Sequence, residues 1–255
     1  FMPERNNKKR SSPQTNNLMK DNRYNVFFTE VVPDARKLWD GEVWRRAELL
    51  DVNCWRPEGG DHRPRTQCRL LYDEQNLYGI FRVEEQGVRC VHTGFQSEVW
   101  KDSCVEFFVQ PKGGGGYFNF EFNCGGALLS SYVMNPARVN GRLQEFVPLT
   151  AEDNQRIRLV ASLPPRVEPP IAGPTTWFLE FTLPFALLEQ YAGPLGAVGG
   201  QTWRANFYKC GNETPHPHWL SWMPLVGRNF HDPSSFGNLF FDQPLKKENT
   251  FEGQD

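Results

Sequence analysis

What the chain lacks narrows its reading first. It has no apolar run approaching the roughly 20 residues that span a bilayer as a helix, so no membrane segment is expected. Its net charge is only −2, with no obvious asymmetry between the halves, which points away from nucleic acid. Cysteine is sparse: Cys54, Cys68, Cys90, Cys104, Cys124 and Cys210 are few for 255 residues, and none forms a CxxC pair. Most sit in apparent strands, where a buried reduced thiol behaves as a small hydrophobe, so they read as mostly free. The opening FMPERNNKKRSSPQTNN is basic and polar without a hydrophobic stretch, so no secretory leader is visible. A cytoplasmic location is the default, and a secreted one follows only if an upstream leader has been removed. The sequon Asn212-Glu213-Thr214 matters only in that second case. Repeats and an internal linker are missing too. One domain is therefore expected over residues 24–245, between a disordered arm (1–23) and a polar tail (246–255).

Aromatic bulk and turn residues are abundant instead. Twenty Phe, 8 Trp and 7 Tyr can fill a substantial core, while 20 Pro and 22 Gly imply many short strands and turns. Asp40–Ala47 reads as a turn into a short bent segment that buries Trp44 with Ala47. Cys54–Arg65 reads as loop. Strands are expected at 24–31, 66–72, 77–83, 88–91, 127–133, 155–163, 177–183, 203–210 and 236–241. Pro164–Thr176 is too proline-rich for a ladder and reads as a surface loop. Phe185–Tyr191, following Pro184, is the one expected helix. The fold class is all-β: an antiparallel sandwich or barrel with one short helix.

The most informative stretch is Val99–Gly126. Each half alternates with period two around the Pro111–Gly116 cluster, which predicts a hairpin. If that cluster is the whole loop, Gln110 faces Tyr117, and Val105, Phe107 and Val109 face Phe122, Phe120 and Phe118. The same register sets Glu106 directly across from Glu121 on the other face, and Cys104 and Cys124 on opposite faces. Like charges so opposed, about 5 Å apart at Cβ, are destabilising. Either something cationic or rich in hydroxyls sits there, or the two acids splay into water on a solvated face. A slip of two residues would keep the faces and separate the acids.

Several landmarks occur in order: Asp40-Gly41 with Trp44 and Ala47; Leu71-Tyr72-Asp73-Glu74 and Leu77-Tyr78; Trp100 with Asp102-Ser103 and Val105-Glu106; Tyr117–Asn123. Trp177–Glu180–Pro184, Trp203 with Asn206, and Asp232-Pro233 through Phe236-Gly237-Asn238-Leu239 complete the series. This order resembles the family 9 carbohydrate-binding modules and their DOMON-like relatives over most of 26–242. The resemblance implies a β-sandwich of the jelly-roll or immunoglobulin-like kind that binds sugars without cleaving them. It implies a chain-end sugar held between two aromatic rings, polar side chains on its hydroxyls, and structural calcium. By position, Trp100 matches the first stacking tryptophan and Glu106 the acidic residue six positions on. Phe230 stands where the second tryptophan is expected, Glu121 where an arginine is, and Tyr208 where a glutamine near Asn206 is. The aromatic pair is kept and the polar grip is changed.

The residues themselves support three chemistries. Sugar recognition needs flat apolar faces and planar polar groups; Trp100, Phe230, Trp219 and Trp222 offer the first. Glu106, Glu121, Arg204, Asn206 and Tyr208, all on outward faces by alternation, offer the second. Core packing is the competing reading for Trp219 and Trp222. Glu106 and Glu121 at ladder spacing could alternatively form the roughly 5–5.5 Å carboxyl pair of a retaining glycosidase. A metal site is the third reading, from Cys210, His216, His218 and His231, although the spacing fits no zinc pattern; the resemblance to DOMON-like proteins adds haem to it, held by a histidine with Met134 or Met223. The expected partner is a saccharide or glycan chain end, with no cofactor beyond structural calcium.

Overall fold

The computed structural model describes residues 22–34 and 38–243. Most of the expected arm and all of the expected tail lie outside those residues. In chain order the first strands are β1 (Arg23–Phe28), β2 (Leu50–Asp51), β3 (Cys54–Trp55), β4 (Arg65–Tyr72), β5 (Asn76–Glu85) and β6 (Val88–Cys90). The central hairpin, β7 (Cys104–Gln110) and β8 (Tyr117–Asn123), leads into β9 (Leu128–Val139), β10 (Arg142–Pro148), helix α1 (Ala151–Arg156) and β11 (Arg158–Ala161). Then come β12 (Val167–Ile171), β13 (Thr175–Pro184), helix α2 (Phe185–Ala192), β14 (Thr202–Cys210), β15 (Trp219–Ser221) and β16 (Gly237–Phe241). The bent segment is a 3-10 turn at Trp44–Arg46, and it buries Trp44 and Ala47 in one cluster.

The hairpin has the register that its alternation predicts: Val105, Phe107 and Val109 face Phe122, Phe120 and Phe118, and Glu106 faces Glu121. All six apolar residues are fully buried. β14 pairs antiparallel with β7 and sends Trp203, Ala205 and Phe207 to the same side. One layer therefore runs β10-β9-β8-β7-β14-β16, and the other β4-β5-β13-β11. β1 joins them, running beside β16 through Arg23–Val26 and beside β4 through Phe27 and Phe28. Both pairings are parallel, which departs from a wholly antiparallel sandwich; the sequence partners of β1 are distant, so no tight hairpin dictates its direction.

Rings from the two layers meet in the core. Phe181 stacks on Phe107 at 5.6 Å and on Phe122 at 5.3 Å, and Phe81 meets Phe207 at 6.1 Å. At such separations aromatic pairs add to the gain from burial alone. Gly79 admits this packing: it lies directly opposite Phe181, and a Cβ there would stand 2.0 Å from the Phe181 ring.

The short strands β2, β3 and β15 fall outside the expected strands, and β3 opens the stretch Cys54–Arg65 read as loop, where it pairs with β15. Three other elements differ from the sequence reading. Helix α1 is a second helix, opened by Thr150 and Asp153, whose side chains each bond the other's backbone N–H. β10 pairs with β9, but nearly all its residues are exposed, so it carries no alternation to read. The proline-rich segment expected as a loop contains β12, which pairs with β6 through Val167↔Cys90 and Ile171↔Val88. Pro169 and Pro170 fall between those paired positions, where the register shifts and a missing N–H breaks no ladder bond.

Candidate functional site

Period two places Cys104, Glu106 and Phe108 of β7, Asn119 and Glu121 of β8, and Asn206, Tyr208 and Cys210 of β14 on the face away from the phenylalanine core. This face is not solvated. Residues between 212 and 236 fold over it, leaving Glu106 3% and Glu121 6% exposed. Burial, with the Cys210 thiol and Glu121 beside it, raises the Glu106 carboxyl well above its ordinary range. Burial also lifts Glu121 to about 7, against the opposing pull of Asn119 and Arg138. The Cys210 thiol donates to Glu106 Oε1 at 3.1 Å, and Asn119 Nδ2 donates to Glu121 Oε1 at 2.9 Å. Among the described residues, no Lys, Arg or His side chain forms an ion pair with either acid.

Arg204, Asn206 and Tyr208 share this face but do not line an opening on it. Arg204 Nη2 donates to the Phe236 carbonyl at 2.7 Å, Asn206 Nδ2 to that of Ser235 at 3.1 Å, and the Tyr208 hydroxyl to that of Phe230 at 2.8 Å. Asn206 Oδ1 also accepts the Met223 N–H at 2.9 Å. These three residues, expected to grip a ligand, instead clasp the backbone of the covering segment, because that segment brings unpaired carbonyls onto their face. The clasp positions an aromatic ring: Phe230 lies flat on Tyr208, with centroids 4.1 Å apart and planes within 11°.

Beside the clasp the face opens into a cavity of about 690 Å³. Its buried floor is Glu106, Glu121 and Cys210, its aromatic lining is Trp100, Trp219 and Phe230, and Arg56, Arg138, Arg228 and Asn212 stand around it. Trp100 sits in the 3-10 turn Val99–Lys101 that leads into β7, with the Lys101 ammonium 5.3 Å from its ring centre. Trp219 opens β15; its Nε1 donates to Asn212 Oδ1 at 2.7 Å, and Arg56 lies 5.2 Å from its ring centre. His231 also lines the cavity, held by a 2.7 Å hydrogen bond between its Nδ1 and the Tyr117 hydroxyl. Trp222 is elsewhere, packed in the core against Phe207. Sequence reading thus brought Trp100, Glu106, Glu121 and Phe230 to one place. It missed Arg56, Arg138, Asn212 and the floor position of Cys210, for which no local pattern exists.

Residues 41–241 match the profile of the family described as carbohydrate-binding family 9. The chain belongs to that family. Among solved structures, a candidate carbohydrate-binding protein from Bacteroides uniformis is similar with a TM-score of 0.75 at 28% identity, over 86% of this chain and 99% of that one. A family 9 module from Caldicellulosiruptor kristjanssonii in complex with cellotriose gives a TM-score of 0.58 at 12% identity, over 91% of this chain and 99% of that one. Its complex with glucose gives 0.57 at 12% identity, over 89% and 99%. At 12% identity these last two show a shared fold. No curated protein matches the chain.

The histidines of this family 9 chain do not converge on one ion. His216 and His218 pack against His62, at 5.0 and 5.1 Å between ring centres, whereas His231 lies with Tyr117 at the cavity. His218 Nδ1 donates to the His216 carbonyl at 2.7 Å, so its Nε2 is free to accept from the buried Lys209 ammonium at 2.8 Å. Burial holds His218 near a pKa of about 2, so it stays neutral. Lys209 is also paired with Glu85 at 3.0 Å, which sets a cation of the protein's own against two members of the His62–Glu85–His218 group. The methionines proposed as haem ligands sit apart from the cavity lining: Met134 is 52% exposed on β9, and Met223 packs against the main core. Calcium takes six to eight oxygens. Among the described residues, the two groups of three or more ligating side chains, His62–Glu85–His218 and Cys104–Glu106–Cys210, are nitrogen- and sulfur-rich and do not fit it.

Proposed function

We propose that this family 9 chain binds carbohydrate noncovalently, with the terminal sugar of a glycan seated in the cavity lined by Trp100, Trp219 and Phe230. The observation that carries the reading is the meeting of three aromatic side chains with two buried acids around one opening of about 690 Å³. That volume lies within the roughly 300–1,000 Å³ of small-ligand sites. Aromatic faces cover the C–H surfaces of a pyranose, and the acids accept hydrogen bonds from its hydroxyls. Glu106 Oε1 is engaged by Cys210, so its second oxygen is the hydroxyl acceptor. Asn212 and Arg138 supply donors at the edge. The family 9 module crystallised with glucose and cellotriose makes those sugars the first probes. Glu121 in place of an arginine, and Tyr208 turned to clasp Phe230, direct this chain to a different pattern of hydroxyls.

Glycoside hydrolysis has less support. Retaining chemistry needs one ionised carboxylate and one protonated acid held in contrasting environments, whereas Glu106 and Glu121 are both buried and both raised above the ordinary carboxylate range, so burial favours the ionised form of neither. Calorimetric titration against a panel of mono- and disaccharides, with and without EDTA and with product assayed in the same samples, tests the proposal. Saturable heat without product is expected. Product release, or no heat from any sugar with folded protein, would contradict it.

A further inference from the structure

Beneath the saccharide cavity, Cys104 and Cys210 stand directly opposite one another on adjacent strands, and Glu106 follows Cys104 on the same face. Their two Sγ atoms and a carboxylate oxygen all lie within 4.8 Å of one another, with Cys210 Sγ 3.1 Å from Glu106 Oε1. All three residues are at least nine-tenths buried. Glu121 faces Glu106 across the ladder, so two acids and two thiols share this spot with no ion pair to either acid among the described residues.

We propose that Cys104, Cys210 and Glu106 form a binding site for a thiophilic divalent cation of the zinc class, with its open coordination position towards the cavity. Tetrahedral zinc holds sulfur at about 2.3 Å and carboxylate oxygen at about 2.0–2.2 Å. Its donors are then roughly 3.5–3.8 Å apart, so side-chain movements of about 1 Å or less close this cluster onto an ion. Thiolate donors select zinc over calcium or magnesium. Glu106 and Cys210 both line the cavity, so three protein ligands and one open position result, the arrangement of a zinc site that takes an exogenous ligand. The other cluster differs: between Glu85 and His218 the Lys209 ammonium stands in direct contact, whereas here, among the described residues, Arg138 acts on Glu121 only from a distance and no cationic side chain pairs with either acid. The site uses none of the aromatic groups of the saccharide reading but shares Glu106 with it, and a cobalt titration without sugar tests it separately.

The test uses reduced, metal-free protein with all six thiols accounted for by a thiol reagent. Titration with Co²⁺ should give one equivalent of binding with a thiolate-to-cobalt charge-transfer band, displaced by one equivalent of Zn²⁺. Cys210→Ser and Cys104→Ser should each lose most of the band. Glu106→Gln, which keeps both thiols, should keep the band and bind at least about tenfold more weakly, by comparison with the 10–100-fold cost of losing groups that merely orient ligands. His62→Ala should change nothing. Because the band is read on the unaltered chain, a serine variant that fails to fold leaves the test intact. No band with six free thiols would overturn the proposal. So would a band that survives in folded Cys104→Ser and Cys210→Ser but is lost in Cys90→Ser, or a Cys104–Cys210 disulfide that forms in air despite excess Zn²⁺.

Discussion

Replacing Asn206 with alanine separates a residue that holds the site from one that touches a ligand. Alternation along β14 points Asn206 outward, where it would be expected to grip sugar, yet it is fully buried and bonds the Ser235 carbonyl at 3.1 Å and the Met223 N–H at 2.9 Å. Alanine leaves both of those backbone groups without the partner they have now, at about 1–3 kcal/mol for each buried group left unpaired. A stability loss of about 2–6 kcal/mol is therefore expected, centred on the segment that presents Phe230. Saccharide affinity should fall with it, by no more than the fraction of molecules in which that segment is displaced. Urea denaturation gives the first quantity, calorimetry the second, and hydrogen exchange at the Met223 amide shows whether the segment has loosened. Lost affinity with unchanged stability and unchanged Met223 protection would place Asn206 on the ligand and refute the clasp.

Two further outcomes test the buried Lys209–Glu85–His218 group. Lys209→Met removes the cation from Glu85, which is 5% exposed, and should cost about 3–5 kcal/mol; adding Glu85→Gln should recover most of it, and a single-variant cost below about 1 kcal/mol in urea would contradict the pairing. His218 has a folded pKa depressed from 6.5 to about 2, so its contribution is complete above pH 6.5 and shrinks on acidification, as the unfolded chain takes up a proton that the folded chain refuses. Between pH 7.5 and 5.5 that amounts to about 1.4 kcal/mol; His218→Asn should lose less stability than the native chain by that amount, and identical pH slopes would show that His218 protonates in the fold.

Much of this architecture was legible because local chemistry and global packing agree in the central hairpin. The Pro111–Gly116 loop fixed the register, and strict alternation fixed which face the phenylalanines take. α1 was overlooked because six residues are too few for a helical period, although Thr150 and Asp153 spell its cap. β10 was overlooked because a strand exposed on both faces has no hydrophobic pattern. At the site, the face shared by Glu106 and Glu121 was readable from β7 and β8 alone. Its burial was not, because the covering residues come from a segment about a hundred positions later in the chain, whose fold is set by backbone bonds to Arg204, Asn206 and Tyr208. For the same reason alternation alone could not distinguish a side chain that faces a ligand from one that faces its own backbone.

Trp100 gives the most direct measurement of the central claim. It lines the cavity from a turn at the edge of the fold and is only partly buried, so Trp100→Ala should leave the melting transition nearly unchanged. Calorimetry of native and variant chains against the sugar that binds best should show affinity reduced by about 1–3 kcal/mol, the scale of other lost aromatic stacking contacts. Equal affinities would contradict the account, and so would a variant that unfolds.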